Sequence, residues 1–184
     1  MEKVQSLKLG RGIDDGTTQG PLINKAAVEK VQSHVQDTIT KGAVLRTGGR
    51  KARNLQGGYF FEPTILTNVT QNMSVNSEET FGPLAAIFSF SSDKEVVQMS
   101  NTTEFGLAGY FFSESLERAF SVARQLECGM IGVNTGFISA VETPFGGIKE
   151  SGLGIEGSKY GLSEFQNIKS VTIRNLGLSS RCEI

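Results

Sequence analysis

The most constraining feature of the sequence is an alternation of short apolar runs with helix-periodic segments between residues 84 and 134. The apolar runs are LAAIFSF at 84–90, GLAGYFF at 106–112 and MIGVN at 130–134. Helix-periodic segments at 93–99 and 115–127 separate them. Because neighbouring parallel strands need a crossover connection, usually a helix, this order predicts βαβ units. We therefore expect an α/β fold with a mostly parallel sheet flanked by helices.

The helix predicted at 115–127 has a broad apolar stripe. Its residues recur at steps of three and four, as expected for one face of a helix. The stripe predicts these inward-facing residues: Leu116, Ala119, Phe120, Val122, Ala123 and Leu126.

The region before residue 84 predicts one long helix and two short strands. Val28, Val31, Val35 and Ile39 mark a helix over 22–41, with Pro21 opening it and Gly42 closing it. Its histidine, His34, is expected on the surface. Strands are expected at 43–46 and 59–66, and Pro63 predicts that the second is an edge or irregular strand.

Composition and charge exclude several classes of function. Lys and Arg (18) nearly balance Asp and Glu (19), and no long basic run occurs, so nucleic-acid binding is disfavoured. One histidine and two cysteines at unrelated positions do not build a metal site, and we expect none. Cys128 is expected to be a buried structural thiol, and Cys182 is expected to be exposed in the tail.

The N-terminal composition and the length of the apolar runs bear on localisation. The N-terminus has no apolar signal region, and the apolar runs are far shorter than a membrane span. We expect no membrane partner. The predicted location is the cytoplasm or the mitochondrial matrix, and secretion is not expected.

The segment Ser77 to Pro83 (SEETFGP) is a candidate binding site, since it lies directly before a predicted buried strand. Ligands of open α/β sheets gather at strand ends. Glu78 and Glu79 can accept hydrogen bonds from sugar hydroxyls while Phe81 offers an apolar face. The alternative is a solvated acidic turn.

A second candidate is the glycine-rich segment 144–154 (PFGGIKESGLG), which departs from the composition of a core. Neither GxGxxG after a strand nor a P-loop pattern is present, so a phosphate cradle is disfavoured. Asn134 and Ser139 lie between the last predicted strand and this segment. Either one presents a polar group to a ligand or, alternatively, caps a loop.

Six motifs together resemble the aldehyde dehydrogenase superfamily in order and spacing. They are GPLI at 20–23, FFEPTIL at 60–66, EETFGP at 78–83, GLAGYFF at 106–112, GMIGVN at 129–134 and PFGGIKESGLG at 144–154. The run FISAVETPFGGIKESGLG, followed by EGSKYG, resembles the succinate-semialdehyde dehydrogenase branch. The resemblance covers nearly the whole chain but only the C-terminal part of such an enzyme. It implies a partial aldehyde dehydrogenase catalytic domain.

The resemblance assigns roles to three residues. Glu79 matches the residue that binds the hydroxyls of the nicotinamide ribose of NAD or NADP, and Phe81 matches one that lines the nicotinamide site. Ser139 matches a serine that contacts the substrate carboxylate. The implied reaction oxidises a small aldehyde, succinate semialdehyde, to an acid through a cysteine thioester, as in GABA degradation. The family's nucleophilic cysteine and general-base glutamate lie upstream of the matched region, so we expect no catalytic residue in these 184 residues and an inactive isolated chain.

The resemblance also gives a domain plan. Residues 1–150 are predicted to form the partial catalytic domain, 151–164 a glycine-rich connection, and 165–184 an oligomerisation strand and tail. The strand from Phe165 to Leu176 is expected to pair with another subunit of a homo-oligomer. Ile155 and Asn167 stand where the family commonly has Arg and Glu, which implies a neutral contact in place of a charged one. The alternative function is a non-catalytic, truncated interaction module that dimerises through this terminal strand.

Overall fold

The structure is a computed structural model that describes residues 1–52, 55 and 57–174. Packing groups the chain into two compact units, Met1–Val96 and Val97–Ile184. The boundary between them falls inside one helix. The domain boundaries expected at residues 150 and 164 remain predictions.

The described residues of the first unit form three helices and three strands and begin the helix that crosses the boundary. In chain order they are α1 (Glu2–Gln5), α2 (Lys25–Thr40), β1 (Val44–Thr47), β2 (Thr64–Thr67), α3 (Ser74–Ser77), β3 (Leu84–Ala86) and α4 (Asp93–Asn101).

Helix α2 is the main helix of this unit, and its start differs from the prediction. The Asn24 side chain accepts a hydrogen bond from the amide of Ala27 at 2.8 Å, so Asn24 is the N-cap and the helix begins at Lys25. Pro21 therefore lies outside the helix. At the other end Lys41 is the C-cap, and Gly42 follows it with a φ of 101°, a conformation that glycine adopts readily.

The core of the first unit lies between α2 and β2. The predicted stripe of α2 is confirmed, since Val28, Val31 and Val35 are at most 3% exposed. One cluster of buried residues forms this core: Val28, Val31, Val35, Ala43, Phe61, Leu66, Val69 and Met73.

Strand β2 is the central strand of a three-stranded sheet, ordered β1-β2-β3. It pairs antiparallel with β1 and parallel with β3, and Leu66 lies opposite both Leu45 and Ala86. The expectation of an edge strand was therefore wrong for this segment, whereas the alternative of an irregular strand is confirmed by the register shift between Leu45 and Thr47 in the pairing with β1. Pro63 precedes the first strand residue, so the amide of Thr64 is still available and donates to the carbonyl of Pro83 at 2.8 Å.

The second unit holds the remaining elements, after the end of α4. They are β4 (Phe105–Gly106), β5 (Ala108–Phe111), α5 (Leu116–Gln125), β6 (Met130–Val133), β7 (Ile148–Lys149), α6 (Ser158–Gly161) and a 3-10 helix (Leu162–Phe165). The Ser115 hydroxyl caps α5 by accepting from the amide of Arg118 at 3.2 Å.

The predicted β-α-β order is present in β5, α5 and β6, since β5 and β6 pair in parallel. The described residues do not form one mostly parallel sheet. They form three small sheets, with two parallel and two antiparallel pairings. The expected strand 106–112 divides at Leu107, because β4 pairs antiparallel with β7 while β5 pairs with β6. These sheets still belong to the α/β class.

The buried face of α5 is narrower than predicted. Ala119 and Val122 are buried, whereas Leu116 and Phe120 are 73% and 59% exposed. Leu116 and Phe120 lie at one flank of the stripe, and the buried residues Ala119 and Val122 lie towards its other flank.

The described residues of the predicted terminal strand, 165–174, form no strand pairing in the single chain. Residues 166–174 form neither helix nor strand, and the side chains of Phe165, Ile168, Val171 and Ile173 are exposed. Leu176 and Cys182 lie outside the described residues. Pairing with a second subunit stays a prediction. Among the helices that the structure describes, none has the length and apolar character needed to cross a membrane.

Candidate functional site

Residues 78–83 connect α3 to β3 and are fixed at both ends by backbone hydrogen bonds. The amide of Glu78 donates to the carbonyl of Ser74 at 2.8 Å, and the carbonyl of Pro83 accepts from Thr64. Gly82 lies against α2, because a Cβ on Gly82 would come within 2.4 Å of Val31 Cγ2. Glycine at this position therefore permits a close approach that alanine would prevent.

His34 of α2 anchors the same segment through its side chain. Its Nδ1 lies 2.6 Å from Thr80 Oγ1, and its Nε2 lies 3.2 Å from Glu78 Oε2. His34 is only 3% exposed, so the expectation of a surface histidine was wrong. His34 follows Val31 by three residues and precedes Thr38 by four, which places it on the buried side of the helix.

The sequence contained a signal for this buried position. Thr38, also fully buried, donates through Oγ1 to the carbonyl of His34 at 2.6 Å. A histidine and a threonine thus interrupt the apolar face of α2 one turn apart. The partners of His34 could not be identified from the sequence because they lie more than 40 residues further along the chain.

These contacts give the segment an inward and an outward side. Glu78 and Thr80 contact His34 of α2, and the Glu78 side chain is still 59% exposed, while Glu79 is exposed and Phe81 is 82% exposed. Within the part of the chain that the structure describes, the Glu79 carboxylate takes part in no hydrogen bond or ion pair. The segment therefore offers solvent two side chains, a carboxylate and an aromatic ring, on an anchored backbone.

The glycine-rich segment 144–154 lines a cavity in the second unit. The cavity has a volume of about 510 Å³, and its lining includes Gly146, Gly147 and Ile155. Phe145 and Glu156 exchange backbone hydrogen bonds of 2.8 and 2.7 Å, which folds the segment back on itself. Ile155 thus contributes an apolar side chain where the resembling family commonly has Arg.

Ser139 and Asn134 lie in the second unit, after β6. Asn134 acts as a loop cap: its Oδ1 accepts from the amide of Ser113 and its Nδ2 donates to the Ser113 carbonyl, both at 2.8 Å. Ser139 is exposed. Glu79 and Phe81 are brought together on one segment of the first unit, and Ser139 belongs to the other unit.

Cys128 is half-buried, less buried than expected. Burial raises the pKa of its thiol, while the charge of Lys149 lowers that pKa and the charge of Glu127 raises it. The protonated thiol is favoured, which does not suit a nucleophile. No cluster of three His, Cys, Asp or Glu side chains suited to a metal ion occurs among the described residues.

Known proteins resemble the chain over most of its length. It is 54% identical over 167 residues to the mitochondrial succinate-semialdehyde dehydrogenase of Rattus norvegicus, covering 91% of this chain and 32% of the relative. It is 52% identical over 175 residues to succinate-semialdehyde dehydrogenase [NADP(+)] 1 of Schizosaccharomyces pombe, covering 95% and 35%. It is 54% identical over 170 residues to the glutarate-semialdehyde dehydrogenase of Pseudomonas putida, covering 92% and 35%. The chain thus spans about a third of the length of these relatives.

Solved structures agree with the sequence relatives. Succinate-semialdehyde dehydrogenase from Burkholderia pseudomallei superposes with a TM-score of 0.86 at 54% identity, over 89% of this chain and 34% of that one. Betaine aldehyde dehydrogenase from Staphylococcus aureus, solved in complex with NAD+, gives a TM-score of 0.84 at 36% identity, over 89% and 33%. The model of the aldehyde dehydrogenase family matches residues 1–171. The chain therefore belongs to the aldehyde dehydrogenase family.

Proposed function

We propose that these residues form the C-terminal part of an NAD(P)-dependent aldehyde dehydrogenase that oxidises succinate semialdehyde, or a similar semialdehyde, to the acid. The observation that carries the proposal is the pairing of an exposed carboxylate, Glu79, with an exposed ring, Phe81, on the segment anchored to α2. The 54% identity to succinate-semialdehyde dehydrogenase supports the same assignment.

The chemistry of the two side chains fits a nicotinamide nucleoside. A carboxylate has two acceptor oxygens and can accept from both hydroxyls of a ribose. An aromatic ring offers an apolar surface for a planar heterocycle. The nucleotide supplies the hydride acceptor when it is bound, and Glu79 and Phe81 would orient its ribose and nicotinamide.

Ser139 is proposed to contact the distal carboxylate of the substrate. Its hydroxyl can donate a hydrogen bond to a carboxylate, and it is exposed. The names of the R. norvegicus and P. putida relatives carry succinate and glutarate semialdehyde, which both end in a carboxylate. A Ser139→Ala variant of the active protein should raise KM for succinate semialdehyde more than KM for an uncharged aldehyde of the same length.

We propose that the nucleophile and the general base come from residues beyond these 184. The raised pKa of Cys128 supports this assignment, because a thioester-forming cysteine needs its thiolate. The test is an assay of the purified 184-residue chain with succinate semialdehyde and NAD+ or NADP+. Turnover at ordinary enzyme rates would overturn the proposal.

Nucleotide binding can be tested separately from turnover. In the isolated chain, amide resonances of residues 79–82 should shift when millimolar NAD+ or NADP+ is added. The shifts should be lost in Glu79→Gln and Phe81→Ala and kept in Glu114→Gln, a matched change of an exposed glutamate in the second unit. Equal shifts in all four proteins would argue against the assignment.

The second candidate is an interaction module that pairs through residues 165–176. The exposure of Val171 (69%) and Ile173 (63%) favours it, since apolar side chains two residues apart lie on one face of a strand and suit pairing against another subunit. Homo-oligomerisation of an active enzyme would use the same segment. Sedimentation should give a dimer or larger oligomer, and deleting residues 165–184 should convert it to a monomer. An oligomeric state that the deletion leaves unchanged would exclude this role.

Imaging a tagged protein should place it in the cytoplasm or the mitochondrial matrix.

A further inference from the structure

We propose that His34 is a positioning residue for the nucleotide-binding segment: its buried imidazole holds Glu78 and Thr80 so that Glu79 and Phe81 face the ligand. This inference rests on the proposed role of Glu79 and Phe81. It adds a residue from a different element, 44 and 46 positions away in sequence from the two side chains that it holds.

In the neutral imidazole, the hydrogen-bond capacities of the three side chains select one tautomer of the ring. An ionised carboxylate only accepts, so the nitrogen facing Glu78, Nε2, carries the hydrogen. Nδ1 of the neutral ring is then an acceptor, and the Thr80 hydroxyl donates to it. Each ring nitrogen therefore has one partner, and both partners come from the segment that carries Glu79.

A histidine at position 34 also costs desolvation free energy that an apolar residue would not. Burying an imidazole is unfavourable unless its nitrogens are hydrogen-bonded, and Val28, Val31 and Val35 show that this face of α2 otherwise takes aliphatic side chains. Leucine or valine at position 34 would fill the core but could not hold Glu78 or Thr80. The imidazole thus supplies direction to the segment in addition to filling space.

The two contacts lie on either side of Glu79 in sequence. In extended backbone, such as that of Glu78 with φ −108° and ψ 130°, alternate side chains point to opposite sides. The contacts of Glu78 and Thr80 with His34 therefore turn Glu79, which lies between them, away from α2, although the Glu78 side chain itself stays 59% exposed. The close approach of Gly82 to Val31 holds the segment against α2 beyond Phe81.

His34 is the only histidine of the chain, so its imidazole can be observed without assignment ambiguity. Long-range ¹H–¹⁵N spectra of the whole chain at pH 7.5 should show the hydrogen on Nε2. Thr80→Val should move the Nδ1 resonance, and Glu78→Gln should move the Nε2 resonance. If neither variant moves its facing nitrogen, the contacts do not exist in solution and the proposal is wrong.

Graded variants of His34 test positioning itself. His34→Gln can keep a donor towards Glu78, His34→Asn can keep an acceptor towards Thr80, and His34→Leu keeps neither. We expect the heteronuclear NOE of the Glu79 and Phe81 amides to fall in the order wild type, the two amide variants, then His34→Leu. Binding of NAD+ or NADP+, followed by NMR titration, should weaken in the same order, by roughly tenfold in His34→Leu. Ser33→Ala, an exposed change on the same helix, is the matched control and should match wild type.

The outcomes separate the two proposals. If NAD+ and NADP+ leave residues 79–82 of the wild type unshifted, the proposed nucleotide site fails, and the NOE series still decides whether His34 orders the segment. If the wild type responds and His34→Leu responds within twofold of Ser33→Ala with unchanged NOE values, His34 is not a positioning residue. Should His34→Leu fail to fold, the double variant Glu78→Ala/Thr80→Val removes the same contacts from the segment's side and is held to the same criterion.

Discussion

The Asp37 carboxylate accepts two hydrogen bonds from Ser74, one from its amide and one from its hydroxyl, each 2.9 Å long. Lys41 lies one turn further along α2 and forms an ion pair with the same carboxylate at 2.8 Å. Asp37 thereby joins the last turn of α2 to the first residue of α3. Because α3 leads directly into residues 78–83, this junction fixes where the candidate nucleotide-binding segment begins.

The junction predicts a loss of stability in acid. The hydrogen bonds from Lys41 and Ser74 lower the pKa of Asp37 from 3.8 to about 2. A carboxyl group with a depressed folded-state pKa stabilises the fold above its unfolded-state pKa, and this contribution is lost as the pH falls from about 4 towards 2. Urea unfolding at a series of pH values should show wild type losing stability in this window.

Asp37→Asn should be less stable than wild type at pH 7 and should lose less between pH 4 and pH 2. The matched control is Glu114→Gln, which changes an exposed carboxyl of the second unit and should follow the wild-type pH dependence. Parallel curves for wild type and Asp37→Asn would contradict the assignment.

Leu66 carries much of the core of the first unit. It is fully buried in the central strand β2, and truncation leaves a cavity between the sheet and α2. We expect Leu66→Ala to lower the free energy of unfolding by about 3 kcal/mol. Leu45→Ala is the control, because Leu45 pairs with Leu66 in the sheet but is 40% exposed, and it should lose much less. Equal losses, measured by chemical denaturation, would show that the core lies elsewhere.

Gly129 should not tolerate alanine. A Cβ there would come within 2.1 Å of the carbonyl oxygen of Gly146, a backbone atom that cannot simply rotate away. Overpacking of this kind costs about 1–3 kcal/mol, so Gly129→Ala should show a clearly lower melting temperature. Gly136→Ala is the comparison, since nothing lies within 4 Å of its added Cβ. A melting temperature for Gly129→Ala equal to that of Gly136→Ala would contradict the close approach.

The Cys128 thiol should react slowly with alkylating reagents. Its pKa is raised by burial, and the thiolate is the reactive form. In a Cys182→Ser background, iodoacetamide should modify Cys128 more slowly than N-acetylcysteine at pH 7.5. Lys149→Gln removes the positive charge that lowers this pKa, so it should slow the reaction further. An increase in rate on that substitution would mean that access, and not thiolate content, controls the reaction.

The periodic elements could be predicted from sequence because their signals are local. The stripe of Val28, Val31 and Val35 sufficed for α2, and MIGVN sufficed for β6. Strand pairing could not be predicted, because it depends on residues far apart in sequence. The division of GLAGYFF at Leu107, where β4 pairs with residues 148–149 and β5 with residues 130–133, has no local signature.

The candidate site, too, could be predicted only where its signals are local in sequence. The residue types of Glu79 and Phe81 indicated a binding role from the sequence alone. The contacts that orient them could not be predicted, since His34 is brought to Glu78 and Thr80 only by the packing of α2 against the segment. A single histidine in a polar helical stretch indicated a surface residue. Its position three residues after Val31 instead places it on the buried side of α2.

The contacts of His34 with Glu78 and Thr80 have a consequence for how this protein tolerates change. Substitutions at positions 34, 78 and 80 act on one set of contacts, so their effects should be epistatic: after His34 is replaced, changing Glu78 or Thr80 should add little. Substitutions at 79 and 81 touch none of these contacts and should combine additively with them in folding stability. Residues 79 and 81 can therefore vary while the contacts of His34 keep the geometry of the segment.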